Sequence, residues 1–333
     1  MKVLITGGAG YIGSHTAKLL SDHGFQIVIV DNLSTGNLQS VLPSAKFYNA
    51  DVRDTKSITE ILRKEKVDAV IHFAALLNVR ESNEKCVDYI SNNVGGLISL
   101  LGAMKEANVK RVIFSSTAAV YAPKIDHLSF NESDKLGPIN TYGFSKLLCE
   151  NVLNEVECNS DFQIGILRYF NVAGAPLDLS SGQNHKVPFH LIHLACKFAL
   201  NSIPKLEIYG NDYPTPDGTC VRDYIHVLDL AEAHRLSLEY LMSGKKQFLF
   251  NCGYGNGNSV YEVIRAIEKA ANKKLPYTIA TRRNGDPAYL IANSSRLKET
   301  LGWRPKYDNL DLICETAFGW EKKQAKFVEG TLI

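Results

Sequence analysis

The chain carries no long hydrophobic run, no paired cysteine motif and no surplus of either charge, and each absence removes a class of protein. No apolar stretch approaches the roughly 20 residues that cross a bilayer. Met1-Lys2 leads through a short apolar strand into glycines, with no apolar core of signal-peptide length, so a cytoplasmic protein with no membrane partner is expected. The 37 Lys+Arg nearly balance 35 Asp+Glu. No net field therefore draws the chain to nucleic acid, and any anion site must be built locally. Seven cysteines (Cys86, Cys149, Cys158, Cys196, Cys220, Cys252 and Cys314) are scattered, odd in number and free of Cys-x-x-Cys spacing. That argues against a disulfide framework and a zinc site, and fits a reducing compartment. His185, His190 and His193 have no carboxylate or thiol to complete a ligand set, and no metal is expected.

What is present is an ordinary globular composition, 45% hydrophobic over 333 residues, enough for two domains or one large one. The first half alternates short apolar runs with helical patterns. Val3-Leu4-Ile5, Ile27 to Val30, Val70 to Phe73, Val112 to Phe114 and Ile164 to Leu167 read as buried parallel strands. Tyr11 to Asp22, closed by Gly24, and Val87 to Ala107 have helical length and period. Right-handed crossovers between such units give an α/β doubly wound parallel sheet of Rossmann type. Beyond Gly174, Gly, Pro and Asn punctuate a mixed region that includes Pro188. We therefore expect a dinucleotide-binding domain over residues 1–174 and a smaller mixed α/β substrate domain over 175–333, some of whose segments pack back on the first.

Gly7-Gly8-Ala9-Gly10-Tyr11-Ile12-Gly13 sits between the first strand and first helix, where backbone N–H groups receive a pyrophosphate. Asp31 closes the second strand, where its carboxylate suits a ribose 2′-hydroxyl and repels a 2′-phosphate, favouring NAD over NADP. Asp51-Val52 stands where an adenine contact is plausible. Phe73-Ala74-Ala75, after His72, ends a strand with small residues that let a cofactor approach. Ser115-Ser116-Thr117 places hydroxyls at a crevice mouth. Tyr142 and Lys146 lie one helical turn apart, so the ammonium can bias the phenol. Each pKa unit of such a bias is about 1.4 kcal/mol, which puts a phenolate near neutral pH within reach. These parts together point to redox chemistry on a hydroxyl. Arg222 and Arg283 are candidates for a diphosphate clamp.

Across essentially its whole length the sequence resembles the extended short-chain dehydrogenase/reductase family, and within it the nucleotide-sugar epimerases. The marks are Thr6 to His15, Asp31-Asn32-Leu33, Tyr142-x-x-x-Lys146, Arg168-Tyr169-Phe170-Asn171, Gly210 to Thr215, Val221 to Val227 and Arg282-Arg283-x-Gly285-Asp286. The resemblance implies reversible 4-epimerization of a UDP-hexose through a transient 4-keto sugar, on tightly held NAD, by a homodimer. It implies cofactor contacts at Gly7, Gly10, Tyr11, Ile12, Gly13, Asp31, Asn32, Leu33, Ser34, Thr35, Gly36, Asp51, Val52, Phe73, Ala74, Ala75, Asn92, Ser115, Tyr142, Lys146 and Phe170. Thr117, Tyr142 and Lys146 match the catalytic triad. Asn171 and Tyr209 match contacts to diphosphate and uracil, Arg222, Arg283 and Asp286 match residues holding diphosphate and ribose, and His190 and Leu290 border the sugar.

Two relatives within that family are disfavoured. Dehydratases and decarboxylases place an acid just after the threonine, where this chain has Ala118-Ala119, and loss of water from the sugar needs that acid/base pair. A non-catalytic dinucleotide sensor would need neither Tyr142 nor Lys146. Leu290, of intermediate bulk, leaves open whether UDP-N-acetylhexosamines or other UDP-sugars are the main substrates.

Overall fold

The computed structural model describes residues 1–124, 129–184, 190–283 and 286–330. His185, Pro188 and Gly285, named above, lie outside them. The five apolar runs form strands β1 (Lys2–Thr6), β2 (Gln26–Asp31), β4 (Ala69–His72), β5 (Arg111–Thr117) and β6 (Gln163–Tyr169), and a shorter stretch adds β3 (Lys46–Asn49). Between them lie helices α1 (Tyr11–Asp22), α2 (Thr55–Glu65), α3 (Val79–Glu84), α4 (Cys86–Ile90), α5 (Gly96–Glu106) and α6 (Thr141–Cys158). The second half contributes β7 (Asn171–Ala173), α7 (Leu191–Ala199), β8 (Glu207–Tyr209), β9 (Val221–His226), α8 (Val227–Met242), β10 (Gln247–Cys252), β11 (Gly257–Ser259), α9 (Val260–Ala271), β12 (Thr278–Ala280), β13 (Tyr289–Leu290), α10 (Ser295–Leu301) and α11 (Leu310–Gly330).

Seven strands form one parallel sheet in the order β3-β2-β1-β4-β5-β6-β10. Because successive side chains alternate across a sheet, the inner strands, covered by helices on both sides, must be apolar on both faces. Val3, Ile5, Ile29, Ile71 and Ile113 pack with Leu20 of α1 and Leu230 and Leu238 of α8. Leu4, Val28, Val70, Val112 and Phe114 pack with Ile58 and Leu62 of α2, Leu100 and Met104 of α5, and Cys149 and Leu153 of α6. Each such fully buried side chain contributes about 1.5–3 kcal/mol.

The single helix expected over Val87 to Ala107 is interrupted. α4 and α5 are joined through a π-helical turn at Ser91–Gly95. The wide turn lets the buried Asn93 side chain reach outward: its Nδ2 donates to the Leu76 carbonyl at 3.0 Å and to Ser145 Oγ at 2.9 Å. β10 comes from beyond residue 174 yet extends the main sheet beside β6, and α8 packs on α1. A smaller sheet is centred on β9, flanked by β11 and β13 and paired with β7, while β8 and β12 form a separate parallel pair. Among the described residues no helix is long and apolar enough to cross a membrane.

Candidate active site at the carboxyl edge of the sheet

The chain runs from β1 to β2 and β3 on one side, then crosses to β4 on the other, opening a crevice at the carboxyl end of β1. The glycine loop lines it. Gly7 has φ +71°, and a Cβ there would stand 2.6 Å from the Ala74 nitrogen, so only glycine admits the Phe73-Ala74-Ala75 backbone. A Cβ on Gly13 would stand 2.4 Å from the Gly7 carbonyl oxygen. Helix α1 begins at Gly10, which offers no side-chain acceptor to the first-turn N–H groups. A pyrophosphate is the natural acceptor at such an end.

Asp31 closes the loop from the side. Its Oδ2 accepts from the Ala9 N–H at 3.0 Å and its Oδ1 from the Leu33 N–H at 2.8 Å, leaving lone pairs for a ribose. Burial raises its pKa while those two bonds oppose the shift. Gly36 is pressed against this carboxylate, since a Cβ would lie 2.9 Å from Oδ1, and Ser34 and Thr35 are exposed beside it. Asn32 Nδ2 donates to Asp51 at 3.1 Å. The Arg53 fork, at 2.9 and 2.7 Å, holds the Asp51 carboxyl well below the usual range. Val52 is buried where Gly96 leaves room for it, and Asn92 donates to Asn93 Oδ1 at 3.1 Å. Tyr11 donates through Oη to the Gly174 carbonyl at 2.5 Å, tying α1 to the start of the second half, and Ile12 is half-buried. The Gly7 turn, the α1 end and Asp31 thus fit a dinucleotide with a free 2′-hydroxyl.

Thr117 ends β5, and Tyr142 and Lys146 stand on α6, whose start is fixed by Asn140 accepting from the Gly143 N–H at 2.8 Å. The Thr117 hydroxyl lies within hydrogen-bonding reach of the Tyr142 phenol and lowers its pKa, but burial dominates and pushes the phenol up to about 12. The Lys146 ammonium bonds the strand rather than the phenol. Nζ donates to the Ser115 carbonyl at 2.8 Å and stands 4.7 Å from the centre of the Phe114 ring. Burial brings the ammonium down to about 8.

The hydroxyl run does not all face the crevice. Alternation along β5 turns Ser116 toward α6, where it bonds Glu150, and Ser115 toward the opposite face, where it bonds Tyr169. Ser115 meets Lys146 through its carbonyl instead.

The second half brings the remaining candidates into two pairs and a floor. Arg222 Nη2 donates to Asp286 at 2.5 Å, and its Nη1 to the Val221 carbonyl at 2.8 Å, so the guanidinium is preset. The Arg283 guanidinium stacks on Tyr209, 4.1 Å from the ring centre. Leu290 is the register partner of Arg222 and packs on a cluster containing Phe170, Tyr121 and Phe130. Asn171 begins β7 opposite Tyr224 of β9. His190 stands at the N-terminal end of α7 with the Gln183 amide 3.2 Å from its Nδ1. Among the described residues no group of three or more His, Cys, Asp or Glu side chains could hold a metal ion.

Three residues that build the site escaped the sequence reading as functional groups: Asn93, Glu150 and Arg168. The Asn92-Asn93 pair before Gly95-Gly96 was a signal for a broken helix. Glu150 carried none, because a glutamate on a helix reads as surface charge.

Residues 3–253 match the profile of the NAD dependent epimerase/dehydratase family. The chain is 44% identical over 323 residues to the UDP-glucose 4-epimerase of Lacticaseibacillus casei, covering 97% of both. The crystal structure of UDP-glucose-4-epimerase from Stenotrophomonas maltophila, with bound NAD and formylated UDP-arabinopyranose, superposes with a TM-score of 0.94 at 37% identity, covering 98% of this chain and 99% of that one. The UDP-Glc/GlcNAc 4-epimerase of Campylobacter jejuni gives a TM-score of 0.84 at 41% identity, covering 97% and 99%.

Proposed function

We propose that this chain, which belongs to the NAD dependent epimerase/dehydratase family, interconverts UDP-glucose and UDP-galactose by inverting C4 of the sugar. The observation that carries the reading is the meeting of Thr117, Tyr142 and Lys146 at the end of β5, in a chain that also holds a glycine cradle and a preset arginine–aspartate pair. NAD, when bound, supplies the reversible hydride acceptor and a positive charge in the crevice. The Gly7 to Gly13 loop and Asp31 would hold it, and Phe73, Ala74 and Asn92 would border it.

Tyr142 Oη takes the proton of the sugar 4-hydroxyl and later returns it, with the Thr117 hydroxyl bridging the two oxygens. Lys146 keeps a positive charge beside that exchange and lowers the cost of the phenolate. The resulting 4-keto sugar must present its other face before it is reduced. That requires binding energy concentrated on the nucleotide: Arg222 and Arg283 on the diphosphate, Asp286 on the ribose, Tyr209 on the base and Asn171 beside the phosphates. Arg283 therefore exchanges its stacking on Tyr209 for a phosphate contact. Ala118 and Ala119 follow Thr117, so no acid stands there to expel water from the keto sugar.

Denaturing the purified protein should release NAD, and UDP-galactose should become UDP-glucose with no cofactor added. Absence of both refutes the assignment. Leu290, half-buried on the Phe170 cluster, is intermediate between a small residue and an aromatic ring, and UDP-N-acetylhexosamines are the second substrates to assay. The seven free cysteines fit a cytoplasmic protein. A homodimer is part of the same reading, and Val87, Ile98 and Phe144, exposed on α4, α5 and α6, are the apolar side chains in that region open to a partner.

A further inference from the structure

Beneath the catalytic group lies a buried ion pair that the reaction does not use. Glu150, one helical turn beyond Lys146, and Arg168, on β6, have side chains only 2% and 3% exposed. Arg168 Nε and Nη2 donate to the two Glu150 oxygens at 2.9 and 2.5 Å. Stability alone is a poor reason for such a pair, because well-packed apolar replacements are often as stable. Its connections are more telling. The same Glu150 Oε1 accepts from Ser116 Oγ, and Ser116 is both the residue before Thr117 and the register partner of Arg168.

From Arg168 the network continues away from the helix. Nη1 donates to Tyr121 Oη at 3.1 Å, and Tyr121 donates to Asn251 Oδ1 at 2.7 Å. Asn251 Nδ2 donates to the Phe130 carbonyl at 2.8 Å, and the Phe130 N–H to the Ile291 carbonyl at 2.7 Å, next to Leu290. One carboxylate thus joins the helix bearing Tyr142 and Lys146, the strand end bearing Thr117, and the wall bearing Leu290. Every polar partner along the chain of bonds is satisfied, which makes it rigid.

We propose that Glu150 is a positioning residue: with Arg168 it sets the distance between Thr117 and the Tyr142–Lys146 face of α6. The inference rests on the epimerase reading for its kinetic consequence, but its structural consequence stands apart from it.

Glu150→Gln keeps the shape and one acceptor for Ser116, but sets an amide NH2 against the Arg168 fork and leaves that buried charge uncompensated, so it should lower the melting temperature. The double variant Glu150→Met, Arg168→Met removes both buried charges and should recover most of that loss. Neither methionine can anchor Ser116. We expect kcat to fall between about tenfold and a hundredfold in the double variant and by less in Glu150→Gln, with KM for UDP-galactose changed less than about twofold and NAD still retained. Amide hydrogen exchange over residues 115–119 and 143–146 should accelerate in both. If the variants keep wild-type kcat and wild-type exchange there, Glu150 serves stability only and the proposal is wrong. The exchange measurement holds even if the wild-type protein interconverts no UDP-sugar, so failure of the epimerase reading is told apart from failure of this one.

Discussion

Replacing Gly13 by alanine sets two effects of the same substitution against each other. Gly13 lies in the first turn of α1, where alanine would gain about 1 kcal/mol of helix propensity over glycine. Its new methyl, however, would stand 2.4 Å from the Gly7 carbonyl oxygen and 3.0 Å from the Gly8 Cα, both backbone atoms. To reach ordinary contact the Gly7 carbonyl must retreat by about 1 Å, and overpacking of that kind costs roughly 1–3 kcal/mol. Gly7 cannot retreat freely, because its own Cα is packed against Ala74. The net loss in the NAD-free protein is then about 1 kcal/mol. The larger effect falls on the cofactor, whose pyrophosphate site the displaced loop forms. A ligand present at 100 times its Kd contributes about 2.7 kcal/mol, so with NAD added the gap to wild type should widen to about 4 kcal/mol. Gly95→Ala is the control: its φ is −59°, nothing lies within 4 Å of the added Cβ, and it should stabilise by about 0.5–1 kcal/mol. Thermal melts with and without added NAD, and NAD released per chain, measure all of this. A Gly13→Ala protein that melts at or above wild type and carries a full complement of NAD would refute the cradle argument.

Tyr142→Phe should cut kcat by about 10²–10⁴-fold while leaving bound NAD unchanged, the range a positioned acid/base supplies; an unaltered kcat removes Tyr142 from the chemistry. Lys146 titrates near 8 in the folded chain against 10.5 for the free group, so between those values the unfolded chain binds more protons and stability rises with pH. Urea midpoints of the NAD-free protein should climb by the equivalent of about 3 kcal/mol across that window, and Lys146→Met should lose that part of the slope; an identical slope in both proteins contradicts the burial of a charged amine. Leu290→Tyr should abolish turnover of UDP-N-acetylglucosamine while preserving that of UDP-galactose, and Leu290→Ser should raise the former, both read from initial rates on the two substrates.

The elements that were legible in the sequence are those whose cause is local. Val3 to Ile5 and Ile27 to Val30 are apolar at every position because both faces of a parallel strand are covered, and that pattern survives in any context. The glycine loop was legible because at Gly7 and Gly13 no other residue fits, so the constraint is written in the residue type itself. β10 was harder, since nothing in Phe248-Leu249-Phe250 says that it returns to the first sheet; its partner Ile164 to Leu167 is distant in sequence and the pairing is settled by the helix between them packing on α1.

The Ser115-Ser116-Thr117 run shows where local reading stops. Composition places three hydroxyls at a strand end, but strand alternation sends the first to Tyr169, the second to Glu150 and leaves the third for Tyr142. Which parity faces the crevice depends on register with β6, a tertiary fact. Burial, which raises the phenol pKa, is likewise a tertiary fact. Tyr142 and Lys146 are correctly spaced on one helical face, yet the ammonium is claimed by the Ser115 carbonyl and the Phe114 ring, both supplied by β5. Sequence spacing fixes which groups can meet, whereas charge follows from what else surrounds them. The buried Glu150 makes the point most sharply: the same residue type on an exposed turn of α6 would contribute almost nothing, and here it joins three elements only because Arg168 and Ser116 are adjacent on neighbouring strands.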